Sequence, residues 1–200
     1  MMSRFIVGAA DEAAVRQGLH SPYHGFCEEG GGFAGRRCPD AIAAGGIALS
    51  LTTAAAYRLD VTGMVCEAVR ARFLPPVDGP DLVMMALAEA VSNAVIHGNF
   101  AIESDLRVDV QGFAAFRTRL AERLGDREFA LRRIEVCAVP VTGGGLTLTV
   151  SDQGAGFDVH GQLARPVEAD ARSGHGLALI RKVARRVAGE DGGRTLVVGF

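Results

Sequence analysis

Several features that commonly indicate a function are missing from this chain of 200 residues. No apolar run approaches the roughly 18 to 20 residues that span a bilayer, so we expect no transmembrane helix and no membrane partner. The net charge is only −2, so the charge balance gives no indication of nucleic-acid binding. Lys182 is the one lysine among 21 basic residues. We interpret this bias as genomic composition, not function.

The first ten residues also lack the features of a secretory leader. They contain one basic residue, Arg4, and a short apolar stretch that Gly8 interrupts. Asp11 and Glu12 follow at once, so the segment is a poor signal peptide. A cytoplasmic location is therefore the expectation.

The cysteines are few and form no C-x-x-C pair. They are Cys27, Cys38, Cys66 and Cys137. In a reducing compartment we expect free thiols. Cys27 and Cys38, with His20 and His24, offer four metal-ligating side chains. Their spacing matches no established zinc pattern, which disfavours a zinc site.

What the chain does contain is a hydrophobic fraction of 48%, typical of a globular protein. Residues 1–45 are the least patterned part, with Gly30 to Gly32 and Gly35 marking a loop. We interpret 1–45 as a glycine-rich extension that is an arm, a dimerisation element or disordered. Residues 46–200 are predicted to form one domain.

Apolar periodicity predicts a series of strands and helices from residue 46 onward. The predicted elements are a strand over 47–52, helices over 64–73, 80–97 and 113–124, strands over 134–139 and 146–151, a helix over 177–188 and a strand over 195–200. The hairpin-linked strands predict an α+β fold with a mixed, mostly antiparallel sheet and helices on one face.

The first motif is a polar row on the second of these helices. Glu89, Asn93 and His97 are four residues apart, so they lie along one helix face, and Gly98 follows as a helix stop. Such a row is either a solvated face or a binding site. An amide oxygen such as that of Asn93 can ligate Mg²⁺, and Glu89 beside it can polarise a hydroxyl.

The second motif follows the strand over 146–151. Because Leu146, Leu148 and Val150 share one strand face, the alternation turns Asp152 toward the same apolar side. A buried carboxylate needs hydrogen-bond donors, and an adenine amino group would serve. Gly154 and Gly156 let the backbone approach a planar base; the alternative is a plain turn.

The third motif opens the last helix, where Gly174, His175, Gly176 and Leu177 precede the apolar stripe. Glycines before a helix N-terminus expose backbone N–H groups, and the helix dipole favours phosphate there. Taken alone, this element is more typical of a flexible loop and helix cap.

Together, the three motifs resemble the Bergerat nucleotide pocket of the GHKL superfamily, which includes gyrase, Hsp90, histidine kinases and MutL. Residues 89–99 resemble its N box, 152–158 its G1 box and 174–180 its G2 box, and Thr195 is similar to a threonine that helps to hold adenine. The resemblance covers about residues 46–200. It implies a two-layer α+β sandwich that binds ATP.

Within that superfamily, residues 89–99 most resemble the anti-sigma factor serine kinases. By this resemblance, Glu89 is the general base, Asn93 holds Mg²⁺ and Asp152 accepts from the adenine amine. The remaining nucleotide-binding residues it implies are His97, Gly154, Gly156, Phe157, Gly174, His175, Gly176, Leu177 and Thr195. Residues 159–172 correspond to the ATP lid, in which Arg165 and Arg172 are candidate phosphate or partner contacts.

The resemblance also implies partners: a sigma factor, a STAS-domain antagonist that is phosphorylated on serine, and a second copy of the chain. Two other functions stay open. One is a nucleotide-gated binding module without significant kinase activity. The other is an orphan histidine-kinase catalytic domain, for which His20 and His24 lie in no suitable helical pattern. Residues 1–45 and 100–133 have no clear counterpart in the anti-sigma factor kinases.

Overall fold

The computed structural model describes residues 4–73, 80–103, 110–164 and 175–200. Within these ranges, seven strands form one sheet in the order β1-β2-β3-β4-β5-β7-β6. The strands are β1 (Ile6–Gly8), β2 (Gly25–Glu28), β3 (Ile47–Thr52), β4 (Arg133–Pro140), β5 (Leu146–Ser151), β6 (Arg186–Glu190) and β7 (Thr195–Gly199). The β1–β2 and β2–β3 pairs are parallel, and the other neighbouring pairs are antiparallel.

Helices fill the connections between these strands. In the described ranges they are α1 (Glu12–Leu19), α2 (Arg37–Ala43), α3 (Thr53–Arg58), α4 (Val61–Arg72), α5 (Pro80–Ser92), α6 (Val110–Gly125), α7 (Arg127–Ala130), α8 (Val159–Ala164) and α9 (His175–Val183). A π-helix, Asn93–Asn99, continues α5, and a 3-10 turn, Asp191–Gly193, precedes β7. The predicted α+β class with a mixed sheet is confirmed. None of the helices in these ranges is both long enough and apolar enough to cross a membrane.

The main core lies between one face of the sheet and the helix layer. Strand alternation points Leu146, Leu148 and Val150 of β5 into it, and all three are buried. Helix α1 contributes Val15 and Leu19, so the N-terminal segment shares the same core. Each large apolar side chain buried in this way stabilises the fold by about 1.5–3 kcal/mol.

Helix α2 covers the opposite face of the sheet, which the sequence did not predict. Cys38 and Ile42 of α2 pack on Ala48 of β3 and Cys137 of β4. The Cys38 and Cys137 sulfur atoms lie 3.6 Å apart. Strand β3 is therefore buried on both faces, although its alternating pattern predicted a half-buried strand.

The N-terminal segment is built into the sheet. Its strands β1 and β2 extend the sheet beyond β3, and a buried arginine joins them to the rest. The Arg133 guanidinium donates to the carbonyl oxygens of Ser50, at 2.9 Å, and of Glu28, at 3.3 Å. The domain boundary at residue 46 stays a prediction, and the hydrogen-bonded sheet runs across it.

The last predicted helix is too long. Helix α9 ends at Val183, and Val187 and Ala188, which the sequence assigned to the helix, pair with β7 in strand β6. A spacing of three to four residues between apolar positions fits a helix, but Val187 and Ala188 fit a short strand equally well. The sequence pattern did not distinguish a helix from a strand at these two residues.

Several of the side chains weighed as zinc ligands have other partners in the structure. Cys38 packs on Cys137, and the His24 ring nitrogen Nδ1 hydrogen-bonds to Gly46 O at 2.9 Å. His20 caps the end of α1. In the part of the chain that the structure describes, no group of three or more His, Cys, Asp or Glu side chains is placed to hold a metal ion.

Candidate functional site

The polar row of the first motif lies where α5 passes into the π-helix. Glu89, Asn93 and His97 are all half-buried, while Val91 and Ala94 on other faces are buried in the core. The sequence predicted a regular helix to about His97. The wider π-helical turn begins at Asn93 itself. Such turns occur often at functional sites.

Two of these side chains lie against the start of α9. A Cβ atom at Gly176 would lie 2.3 Å from Glu89 Oε2 and 3.6 Å from Asn93 Nδ2. The first and third motifs are therefore in contact, although Glu89 and Gly176 are 87 residues apart in the sequence. A side chain at Gly176 would displace the Glu89 carboxylate, which is the end of a flexible side chain.

His97 has a different environment. Its Nδ1 donates to Ile102 O at 2.5 Å, which ties the ring to the residues after the π-helix. The structure thus gives His97 a role in ending the helix. Its role in nucleotide binding stays a prediction.

Asn99 connects the first motif to the second and is fully buried. Its amide nitrogen donates to Thr53 Oγ1 at 2.8 Å and to Arg133 O at 3.0 Å. Its side-chain oxygen accepts from Gln153 N at 2.7 Å. Asn99 lies at the end of the first motif, and the motif assigned no role to it. The sequence feature that could have indicated such a role is the position of a polar residue, Asn99, directly after the helix-ending Gly98.

Asp152 follows β5 and is turned toward the helix layer, as strand alternation predicts. A Cβ atom at Gly98 would lie only 2.5–2.7 Å from the atoms of its carboxylate. Gly154 N donates to Asp152 Oδ1 at 2.7 Å, and among the described residues this is the one donor to the carboxylate. The carboxylate therefore has room to accept from a ligand.

Burial raises the pKa of the Asp152 carboxyl from 3.8 to about 6. The Gly154 N–H and the positive charges of Arg194 and Arg132 act in the opposite direction but do not cancel the desolvation. A half-buried carboxylate that is costly to ionise is a common feature of binding sites. A donor from a bound ligand would relieve that cost.

The glycines of the second motif allow two close backbone approaches. A Cβ atom at Gly154 would lie 2.3 Å from Gly98 O, so the loop and the π-helix meet backbone to backbone. Gly156 has φ +76°, and its Cβ would lie 2.2 Å from Gly192 O. Phe157 is 37% exposed beside these glycines.

Thr195 is buried on β7 opposite Ser151 of β5. Its hydroxyl donates to Asp191 Oδ2 at 2.9 Å and lies 3.0 Å from Ser151 Oγ. Since Val150, one residue earlier, points into the main core, Ser151 and Thr195 point to the other sheet face. Thr195 therefore contacts the turn at Asp191 and not Asp152, and its role in holding adenine stays a prediction.

The phosphate end of the predicted site is described in part. Helix α9 begins at His175, and its first-turn backbone N–H groups lack partners within the helix. Gly176 lies against Glu89, and Leu177 is buried in the core. Gly174, Arg165 and Arg172 lie outside the described residues.

Comparison with known families gives a match over most of the chain. The model of a family described as a histidine kinase-like ATPase domain matches residues 52–200, from the end of β3 to the last residue. All three motifs fall within this range. No curated protein matches the chain.

Proposed function

The chain belongs to the histidine kinase-like ATPase domain family, which makes it an ATP-binding protein, and we propose that it is a protein serine kinase of the anti-sigma factor type. Its substrate would be a serine of a STAS-domain antagonist. The observation that carries this proposal is the contact between Glu89 and Asn93 and the first turn of α9. That contact brings a carboxylate and an amide to a helix N-terminus suited to phosphate.

The adenine end of the site would be Asp152 with its glycine loop. Its carboxylate has one donor within the described chain, Gly154 N, and is costly to ionise without another. An adenine amino group supplies the missing donor. Gly156 and the exposed ring of Phe157 lie beside it, where a planar base could rest.

The phosphate end would be formed by Asn93, Gly176 and the backbone amides at the start of α9, with Gly174 and His175 next to them in sequence. Asn93 offers the oxygen ligand that Mg²⁺ prefers. When bound, Mg²⁺ would neutralise phosphate charge. Glu89 would accept the proton of the attacking serine hydroxyl. The serine oxygen would bond to the γ-phosphorus while the bond from that phosphorus to ADP breaks and ADP leaves. Phosphoryl transfer requires mainly such positioning and charge neutralisation.

The proposed partners rest on the resemblance of residues 89–99 to the anti-sigma factor kinases. They are a sigma factor, the STAS-domain antagonist and a second copy of the chain, and the setting would be the cytoplasm. Phosphorylation of the antagonist would then control which partner the sigma factor binds.

Two substitutions separate nucleotide binding from transfer. We expect Asp152→Asn to lose affinity for Mg-ATP and Glu89→Ala to retain affinity while losing transfer. Binding is measured by calorimetry, and transfer by incorporation of labelled phosphate into the STAS-domain protein encoded nearest to this gene. Asp40→Asn and Glu122→Ala are matched controls, since both carboxylates are exposed on other helices.

The outcomes distinguish three functions. Normal ATP binding by Asp152→Asn would show that the pocket is assigned wrongly. Nucleotide-dependent partner binding without phosphoserine would replace the kinase with a nucleotide-gated binding module. Acid-labile phosphate on His20 or His24 would instead identify a histidine-kinase function.

A further inference from the structure

Arg37, the first residue of α2, reaches across the sheet to the turn before β7. Its guanidinium Nη2 lies 2.7 Å from Asp191 Oδ2 and 2.8 Å from Glu190 Oε2. Arg37 lies outside residues 52–200, the part that matches the ATPase family, whereas both carboxylates lie inside it. The N-terminal segment thus contributes a charge to the edge of the family domain.

The turn that Arg37 contacts has an unusual backbone. Asp191, Gly192 and Gly193 have φ angles of +53°, +70° and +84°, three left-handed residues in succession. For Asp191, which carries a side chain, this conformation is uncommon and costs about 1–2 kcal/mol. The ion pair with Arg37 and the hydrogen bond from Thr195 hold the Asp191 side chain in place.

The same turn supports the glycine loop of the candidate adenine site. A Cβ atom at Gly156 would lie 2.2 Å from Gly192 O, and one at Gly193 would lie 1.7 Å from Phe157 O. No side chain fits between the two segments. A shift of the turn toward the loop would therefore press on the backbone at Gly156 and Phe157.

We propose that Arg37 is a positioning residue for the adenine end of the nucleotide site, acting through the Asp191–Gly193 turn. The inference rests on the proposed nucleotide site and adds a residue from the N-terminal segment to it. Arg37 does not itself contact the base. It fixes the turn on which the base-binding glycine loop rests.

Both carboxylates that Arg37 contacts are partly exposed, with side-chain exposures of 45% for Glu190 and 51% for Asp191. Exposed ion pairs of this kind contribute little to global stability. Loss of Arg37 should therefore leave the melting temperature nearly unchanged while loosening the turn.

A flat, forked guanidinium can bond two carboxylates at once, whereas a lysine ammonium is a point charge. Lysine should consequently restore only part of the effect.

The test is calorimetric titration of the full chain with adenosine, Mg-ATP and inorganic tripolyphosphate. For Arg37→Ala we expect affinity for adenosine and for Mg-ATP to fall by the same factor, roughly 2- to 30-fold. Tripolyphosphate binding should not change, because the contact is at the base end. Arg37→Lys should fall between wild type and Arg37→Ala. Arg36→Ala, with a 90% exposed side chain one residue away, should bind like wild type.

A second variant tests the route through the turn. Asp191→Asn removes the charge but keeps a residue type that tolerates the left-handed backbone. It should weaken adenosine binding as Arg37→Ala does, and the double variant should be no weaker than either single variant. Full additivity of the two losses would overturn the proposed route.

The failures of the two proposals are distinguishable. If wild type binds adenosine and Mg-ATP and Arg37→Ala binds them equally well, the positioning role is refuted and the nucleotide site stands. If Arg36→Ala lost as much affinity for adenosine as Arg37→Ala, the positioning role of Arg37 would also be refuted. If wild type binds no nucleotide, the proposed site is wrong and the inference fails with it.

Discussion

Asp152 has an orientation set by its own strand and a burial set by a distant helix. Alternation along β5 turns it to the same side as Leu146, Leu148 and Val150, toward the helix layer. The π-helix lies against its carboxylate at Gly98, and burial raises the pKa of that carboxyl to about 6. The chemistry of Asp152 therefore depends on the packing of the π-helix on the glycine loop.

The raised pKa of Asp152 predicts a stability that depends on pH. Between pH 3.8 and about 6, the folded protein holds a proton that the unfolded chain has lost. The contribution of Asp152 to stability should therefore fall as pH rises through this window. Urea unfolding at pH 4.5, 5.5 and 7 should show wild type losing stability relative to Asp152→Asn. A difference that stays constant with pH would contradict the raised pKa.

Asn99 and Thr195 mark the limits of motif reading. Asn99 makes three hydrogen bonds that join the π-helix to α3, β4 and the glycine loop, and the motif alone did not predict these partners. By resemblance, Thr195 is assigned to the nucleotide, and that role stays a prediction. The structure adds that Thr195 pairs with Ser151 and donates to Asp191. This pairing depends on the register between distant strands, which a single strand pattern cannot supply.

At the scale of elements, the sequence predicted the long, strongly periodic segments best. Strands β3, β4, β5 and β7 and helices α4 and α6 lie close to their predicted positions. The π-helix at Asn93–Asn99 was not predicted, because spacing by four residues fits an ordinary helix equally well. Strand β6 was assigned to the preceding helix for the same reason.

The backbone contact between the π-helix and the glycine loop makes a prediction for Gly154. In Gly154→Ala the new methyl group would lie 2.3 Å from Gly98 O, a backbone atom that cannot rotate away. We expect a loss of about 1–3 kcal/mol of stability, as for other overpacked sites. Adenosine binding should weaken as well. Thermal unfolding and calorimetry measure the two effects.

Gly35→Ala is the matched control for that experiment. A Cβ atom at Gly35 would meet no atom within 4 Å, so the variant should melt and bind like wild type. Gly154 does not have a left-handed φ, so the expected effect comes from packing alone. Unchanged stability and binding in Gly154→Ala would show that the loop and the π-helix are not held together as described.

At the scale of the whole molecule, the N-terminal segment was the part that sequence reasoning could not interpret. Strands β1 and β2 have three and four residues, too few to show a periodicity. The parallel pairing of β1 with β2 and of β2 with β3 also leaves no local hairpin signal. Their place in the sheet depends on contacts with other elements, among them the bond from Arg133 to Glu28 O and the packing of Phe26 with Val15 and Leu19 in the main core.

These contacts predict that residues 46–200 do not fold well alone, even though the family match begins at residue 52. Removal of residues 1–45 would expose the second face of β3 and leave Glu135 without its bond from Ala34 N. Arg133 would lose its bond to Glu28 O. Val15, Leu19 and Phe26 would also be lost from the main core, where each large buried side chain contributes about 1.5–3 kcal/mol. We expect the truncated chain to be insoluble or to melt well below wild type.

Circular dichroism and thermal unfolding of 46–200 would test this expectation, with deletion of residues 2–3 as the control for altering the N-terminus. The result bears on function as well, because the truncation also removes Arg37. If 46–200 folds and melts like wild type, the boundary at residue 46 is a true domain boundary and the sheet extension is dispensable for folding. A truncated chain that folds but binds adenosine as weakly as Arg37→Ala would assign the N-terminal segment to the nucleotide site and not to the stability of the domain.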